Sequence, residues 1–188
     1  MPRWSIAFVR LVDRLNYGIG RMAMYLLFAL MAILMWSTFS KLVLTPSLWT
    51  LEMAQFVMVA YYILGGPYSM QMGAHVRMDL MYARWDIRKQ AWTDAFTVFA
   101  LIIYLGIMLW GAFDSFSYSL GVKWGEPGLF GLSWPEIGRL ERSPTAWRPY
   151  LWPIKAILCL GFFLMLLQSI TYLIRDIATI RGRRSDAL

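Results

Sequence analysis

The sequence has one cysteine and one histidine, and both shortages exclude whole classes of site. Cys159 cannot form a disulfide within the chain, and a zinc site made of several thiolates is excluded. His75 cannot supply both axial ligands of a haem held by two histidines. The sequence also has no Ser/His/Asp set, no phosphate-binding glycine loop and no ligand spacing typical of a metal site. We therefore expect no enzyme and no cofactor.

Charged residues are scarce, at 15% of the 188 residues, and four long apolar stretches hold few of them. The stretches cover residues 22–44, 53–72, 95–120 and 151–174. Each is near or above the ~20 residues that a helix needs to cross a bilayer, and backbone groups in lipid must bond within their own segment. We therefore predict a single domain, an all-α integral membrane protein with four transmembrane helices. The first stretch is interpreted as an uncleaved span because it starts late, is long and lacks a cleavage pattern.

The net charge of +7 is explained by where the basic residues lie. They cluster before the first stretch, between the second and third, and after the fourth. Four spans place these three segments on one side of the membrane, and the positive-inside rule makes that side cytoplasmic. Both termini are therefore expected in the cytoplasm. Because the basic residues flank apolar stretches and form no binding face, nucleic acid is not an expected partner.

Two segments on this predicted cytoplasmic side combine apolar and basic residues at helical spacing. One covers residues 4–21, before the first stretch, and the other covers residues 78–92. We predict that both are amphipathic helices in the membrane interface, with arginines near anionic lipid head groups. The alternative is that each segment simply extends the neighbouring span into water.

Four charged residues lie near the predicted outer ends of the spans: Lys41, Glu52, Asp114 and Lys155. One interpretation is an ion or substrate path, because charge inside a membrane is costly and usually functional. The other is a set of interhelical pairs with lysines that reach the interface. The middle parts of the second, third and fourth stretches contain no Asp, Glu, His, Lys or Arg. This favours the second interpretation and argues against a pore or pump made by this chain alone.

Two local features accompany the second stretch. Gly65-Gly66-Pro67 interrupts it, and a bend or a close helix contact is expected there because proline removes a backbone hydrogen bond. The alternative is a broken helix of the kind that exposes backbone groups to a transported substrate. After the stretch, His75 and Asp79 would share one face of a helix. With Arg77 directed towards phosphates, they are interpreted as a polar hinge.

Several short motifs follow one another in a characteristic order. They are Trp49-Thr50-Leu51-Glu52, then Gly73-x-His75-x-Arg77-x-Asp79, then Glu141-Arg142-Ser143-Pro144, Trp147-Arg148-Pro149 and Trp152-Pro153-Ile154-Lys155, leading to Leu167-Gln168 and Arg175. In order and spacing the chain resembles the small membrane subunit of tripartite ATP-independent periplasmic (TRAP) transporters. The resemblance covers nearly the whole chain.

This resemblance implies a function that the residues alone do not show. In such secondary transporters a soluble periplasmic protein captures the substrate, typically an organic acid, and a large membrane subunit carries it inward by sodium symport. The small subunit would be a non-catalytic scaffold in the bacterial inner membrane. Its partners would be the large subunit, the periplasmic binding protein and membrane lipids.

The resemblance also suggests roles for particular residues. Glu52 and Lys155 would stabilise the outer ends of the second and fourth spans. The histidine, arginine and aspartate of the hinge would fix the turn into the interfacial helix. The block from Glu141 to Pro153, which includes Trp152, would shape the outer loop over about 121–149, a candidate docking place for the binding protein.

Two other classes stay open at this point. A membrane anchor subunit of a quinone-linked redox enzyme also suits four spans, but a single histidine does not suit haem ligation. A small exporter working as a homodimer would need a carboxylate well inside an early span. Glu52 is too close to the membrane surface for that role.

Overall fold

The computed structural model describes residues 3–73, 87–125, 128, 131–136 and 138–180 of the chain. Four long helices occupy most of these residues: α1 Arg3–Val43, α2 Thr50–Gln71, α3 Ile87–Ser119 and α4 Trp152–Ile180. The described residues form no strand, and only two isolated bridges occur in the loop between α3 and α4. The predicted all-α class is confirmed.

Three of the four helices are long and apolar enough to cross a membrane: Trp4–Val43 in α1, Trp92–Ser119 in α3 and Trp152–Ala178 in α4. The second helix, α2, has 22 residues but falls short of the same hydropathy threshold. Glu52 lies in its first turn and Pro67 lies inside it, and both lower its mean hydropathy. The structure therefore supports a membrane protein with several spans, and the fourth span stays a prediction.

The N-terminal amphipathic segment is not a separate helix. It belongs to α1, which runs unbroken over 41 residues and is therefore ~61 Å long, about twice the thickness of a hydrocarbon core. Val9 and Val12 of this segment are buried, so one side of it packs within the bundle. This is the arrangement in which the segment extends the first span. Residues 74–86, which hold most of the second amphipathic segment, lie outside the described part, and that prediction is untested.

The fourth helix is the centre of the packing. It contacts α3 on one side and α2 and α1 on the other, while α1 also packs along α2. Glycines permit the closest contacts: a Cβ at Gly161 of α4 would lie 2.0 Å from Ile63 Cγ2, and one at Gly20 of α1 would lie 2.4 Å from the Tyr68 side chain. Small residues of this kind let helix backbones approach closely in a membrane.

The second helix continues through Gly65-Gly66-Pro67 without interruption and ends at Gln71. Pro67 is fully buried, and a Cβ at Gly66 would lie 3.0 Å from the Met165 methyl group of α4. The segment is therefore a close contact point between α2 and α4, one of the two structural roles predicted for it. A broken helix is not observed.

The outward surfaces of the helices are strongly apolar. Within the apolar windows, only 6% of α1 and 11% of α3 is buried, against 28% of α4. Large side chains such as Met35, Phe96 and Trp110 are mostly exposed. Apolar surface of this extent needs lipid or another protein to cover it.

Candidate functional sites at the two ends of the bundle

An ion pair joins the outer loop to the helices. The Lys155 ammonium, one turn into α4, contacts the carboxylate of Glu141 in the loop. The same Nζ donates to the backbone oxygen of Ser115 at 3.3 Å and lies 5.9 Å from the centre of the Tyr118 ring. The side chains of Lys155 and Glu141 are only 19% and 29% exposed. Lys155 therefore holds together the loop, the end of α3 and the start of α4.

Backbone contacts place Glu141 in this position. Its N–H donates to the Ser119 oxygen at 3.1 Å, and its own oxygen accepts from the Leu151 N–H at 3.1 Å. The next residue, Arg142, donates to the Tyr150 hydroxyl at 2.6 Å, and its guanidinium lies 4.6 Å from the centre of that ring. The loop segment from Glu141 to Tyr150 is thus folded back on itself and packed against α3.

The other predicted residues of the outer end are not part of this pair. Glu52 is buried at 5% exposure, and its Oε2 has no hydrogen-bond partner in the described structure. Lys41 and Asp114 are exposed, and neither has an ion pair among the described residues. Trp152, the first residue of α4, is 40% exposed. Lys155 therefore pairs with a loop residue and not with another span.

A second group of polar residues, the inner polar cluster, joins three helices near the opposite end. Its members are Asp13 and Asn16 of α1, Gln71 of α2, and Gln168 and Arg175 of α4. Arg175 Nη2 donates to Asp13 Oδ2 at 2.6 Å, and Gln168 Nε2 donates to Asp13 Oδ1 at 3.3 Å. Asn16 Nδ2 donates to Gln168 Oε1 at 2.6 Å. Gln71 Nε2 donates to the Asp13 backbone oxygen at 3.1 Å.

The centre of this cluster is deeply buried, while Asp13 and Arg175 are partly exposed. Gln168 is 0% exposed and Asn16 is 1% exposed. Polar groups removed from water are costly unless they are hydrogen-bonded, so the contacts of the cluster define one relative position of the three helices. Asn16 Oδ1 and Gln71 Oε1 are buried without a hydrogen-bond partner in the described structure.

Most of this cluster is not among the residues predicted from the sequence. Asp13, Asn16 and Gln71 belong to no predicted site, and Gln168 and Arg175 belong only to the family motifs. The sequence does contain a signal for a polar contact between helices. Gln168 and Arg175 are seven residues apart and therefore share one face of α4. The same holds for Asp13 and Asn16, three residues apart on α1.

The predicted hinge of His75, Arg77 and Asp79 lies outside the described residues and stays a prediction. Within the described part, no group of three or more His, Cys, Asp or Glu side chains converges in the manner of a metal centre.

An apolar cavity of about 920 Å³, the outer groove, opens between α3 and α4 near their outer ends. It is lined by Gly106, Trp110, Phe113 and Asp114 of α3, Cys159 and Phe163 of α4, and Trp124 of the loop. Trp124 stacks on Trp110 with the ring centres 6.5 Å apart and meets Phe113 edge-on at 5.6 Å. The loop thereby forms one wall of the groove, and among the described residues that line it Asp114 is the charged one.

Comparison with known proteins identifies the family. The model of the DctQ component of the tripartite ATP-independent periplasmic transporters matches residues 30–179, which include about the last third of α1, all of α2 and α3, and nearly all of α4. No curated protein and no solved structure matches the chain. The matched range contains both ends of the outer ion pair and the whole outer groove. It follows that the chain belongs to the DctQ family, the small membrane component of TRAP transporters.

Proposed function

We propose that this chain is the non-catalytic scaffold subunit of a sodium-coupled TRAP uptake system for a small organic acid. It spans the bacterial inner membrane four times with both termini in the cytoplasm. It binds the large membrane subunit, which moves the substrate, and works with a periplasmic substrate-binding protein. The family match over residues 30–179 is the observation that carries this proposal.

The use of polar side chains supports a scaffold and not a carrier. The inner polar cluster ties α1, α2 and α4 together. The Glu141–Lys155 pair ties the loop to α3 and α4. These groups bond with one another, whereas a carrier needs polar groups that face a substrate or an ion in a cavity. Of the described residues that line the outer groove, Asp114 is the one with a charged side chain, and most of the others are apolar.

The burial of α2 supports the fourth span. Two of its polar residues are held inside the bundle: Glu52 is buried, and Gln71 donates to the Asp13 backbone, whereas Gln55 is exposed. Part of the low hydropathy of α2 therefore comes from polar groups that contact the bundle and not lipid. With 22 residues, α2 is ~33 Å long, which is enough to cross a hydrocarbon core of about 30 Å.

The charge distribution supports the orientation. The arginines of the N-terminal part of α1 lie towards the end of the bundle that holds the inner polar cluster, and in the sequence further arginines follow α4. Basic residues next to spans favour the cytoplasmic side and attract anionic lipids. The loop that holds Glu141 is then periplasmic, on the side where the substrate-binding protein is located.

Reconstitution tests this function directly. The large subunit, the loaded binding protein and a sodium gradient are combined in proteoliposomes, with and without this chain. We expect uptake of an organic acid only when both membrane subunits are present, and its loss when the sodium gradient is removed. Uptake by this chain alone, or full uptake by the large subunit alone, would contradict the scaffold role.

A further inference from the structure

We propose that the outer groove is the docking site for a transmembrane helix of the large subunit, and that this helix places a lysine or arginine beside Asp114. The inference rests on the proposed function, because it names the surface that meets the large subunit. It also names the chemistry of the partner helix at that surface.

The walls of the groove are suited to anchoring a helix. Trp110 is 77% exposed and Phe163 is 47% exposed, although both belong to helices that pack against each other. The stacking of Trp124 on Trp110 holds this aromatic wall in place. Exposed aromatic side chains in a concave site are typical of the residues that dominate binding energy at protein interfaces.

The floor of the groove permits a close approach of backbones. No heavy atom lies within 4 Å of the position that a Cβ on Gly106 would occupy. In a membrane, helices associate through packing and hydrogen bonds because lipid supplies no hydrophobic drive, so a glycine with open space in front of it favours a second helix. An acyl chain would fill the apolar walls but would gain nothing from a missing Cβ.

Asp114 supplies the charge that selects the partner. It is exposed about 7.5 Å inside the outer end of α3, and no hydrogen bond or ion pair of its carboxylate occurs in the described structure. The Lys155 ammonium, which donates to the backbone oxygen of the adjacent Ser115, is already bound to Glu141. A carboxylate on a membrane-facing surface is costly unless a cation neutralises it. A basic side chain on the docked helix meets this requirement.

Photo-crosslinking in whole cells tests where the partner lies. A benzophenone amino acid replaces Trp110 in one variant and Met35 of α1 in another. The two positions are 77% and 71% exposed, and each lies about 12–14 Å from the outer end of its helix, so they are matched in exposure and depth. We expect the probe at 110 to crosslink to the large subunit at least tenfold more than the probe at 35.

Two pairs of substitutions test the floor and the charge. Gly106→Leu fills the floor, and Gly111→Leu is its control, because Gly111 also has open space around it but does not line the groove. We expect Gly106→Leu to reduce recovery of the large subunit by about tenfold in co-purification and Gly111→Leu to leave it unchanged. Asp114→Lys should reduce recovery strongly, and Asp114→Asn should reduce it less.

The outcomes separate this inference from the proposed function. If the unaltered chain recovers no large subunit from native membranes, the proposed function fails. If it recovers the subunit, but Gly106→Leu and Asp114→Lys recover it equally well, the docking site is overturned and the function stands. Crosslinks from position 110 to lipid alone would also overturn it.

Discussion

The contact between Asp13 and Arg175 offers a direct test of what holds the bundle together. Asp13→Ala removes the acceptor of Arg175 Nη2 at 2.6 Å and of Gln168 Nε2 at 3.3 Å. Both donors belong to α4, while Asp13 belongs to α1, so the substitution acts on the packing of one helix against the other. We expect a less stable bundle with its secondary structure retained.

The size of the effect follows from the burial of the pair. Breaking a fully buried ion pair costs about 3–5 kcal/mol, and an exposed pair contributes about 0–1 kcal/mol. The side chains of Asp13 and Arg175 are 19% and 29% exposed, so their pair lies between these limits. We expect the free energy of unfolding to fall by about 2 kcal/mol. Asp13→Asn should lose about half as much, because the amide oxygen still accepts one hydrogen bond.

The assay is reversible unfolding of the purified chain in detergent, followed by the fluorescence of its 10 tryptophans. Glu136→Ala is the control, since it removes the exposed pair between Glu136 and Arg139, whose side chains are 54% and 67% exposed. The control should change stability by less than about 0.5 kcal/mol. If Asp13→Ala behaves like the control, the inner polar cluster does not stabilise the bundle and the reasoning is refuted.

Two further predictions concern the outer loop and the helix contacts. Lys155→Met leaves the Glu141 carboxylate without its ion pair. We therefore expect protease to cleave the loop in spheroplasts roughly tenfold faster, which corresponds to about 1.4 kcal/mol. Cleavage at the original rate would refute this. Gly161→Leu places side-chain atoms where Ile63 Cγ2 lies 2.0 Å from a Cβ, and we expect a loss of several kcal/mol in stability and a low yield of folded protein. Gly65→Leu, at a position with nothing within 4 Å, is the matched control and should fold normally.

The continuity of α1 could not be predicted from the sequence alone. The amphipathic spacing of residues 4–21 is compatible both with a helix lying in the interface and with an extension of the first span. The choice depends on whether the segment has a protein surface to pack on. Val9, Val12 and Asn16 are buried, so the segment does pack on a protein surface. That surface is formed by α2 and α4, which are distant from the segment along the chain.

The sequence by itself determined the helices, the membrane and the family. A helix in lipid must bond all its backbone groups internally, so apolar length alone predicts where helices run. The motifs around Glu52 and Lys155 identified the transporter component before any geometry was known. These properties depend on the residues within each segment, so they can be predicted without knowing how the segments pack.

Only the tertiary structure decided which side chains meet. Lys155 pairs with Glu141 because the loop folds back over the end of α3, and Arg175 meets Asp13 across 162 residues because α4 packs against α1. The outer groove likewise has its loop wall because Trp124 stacks on Trp110. The apolar part of each helix follows from the hydropathy of its segment. Pairing between segments follows from how their surfaces pack, and that is a property of the whole bundle.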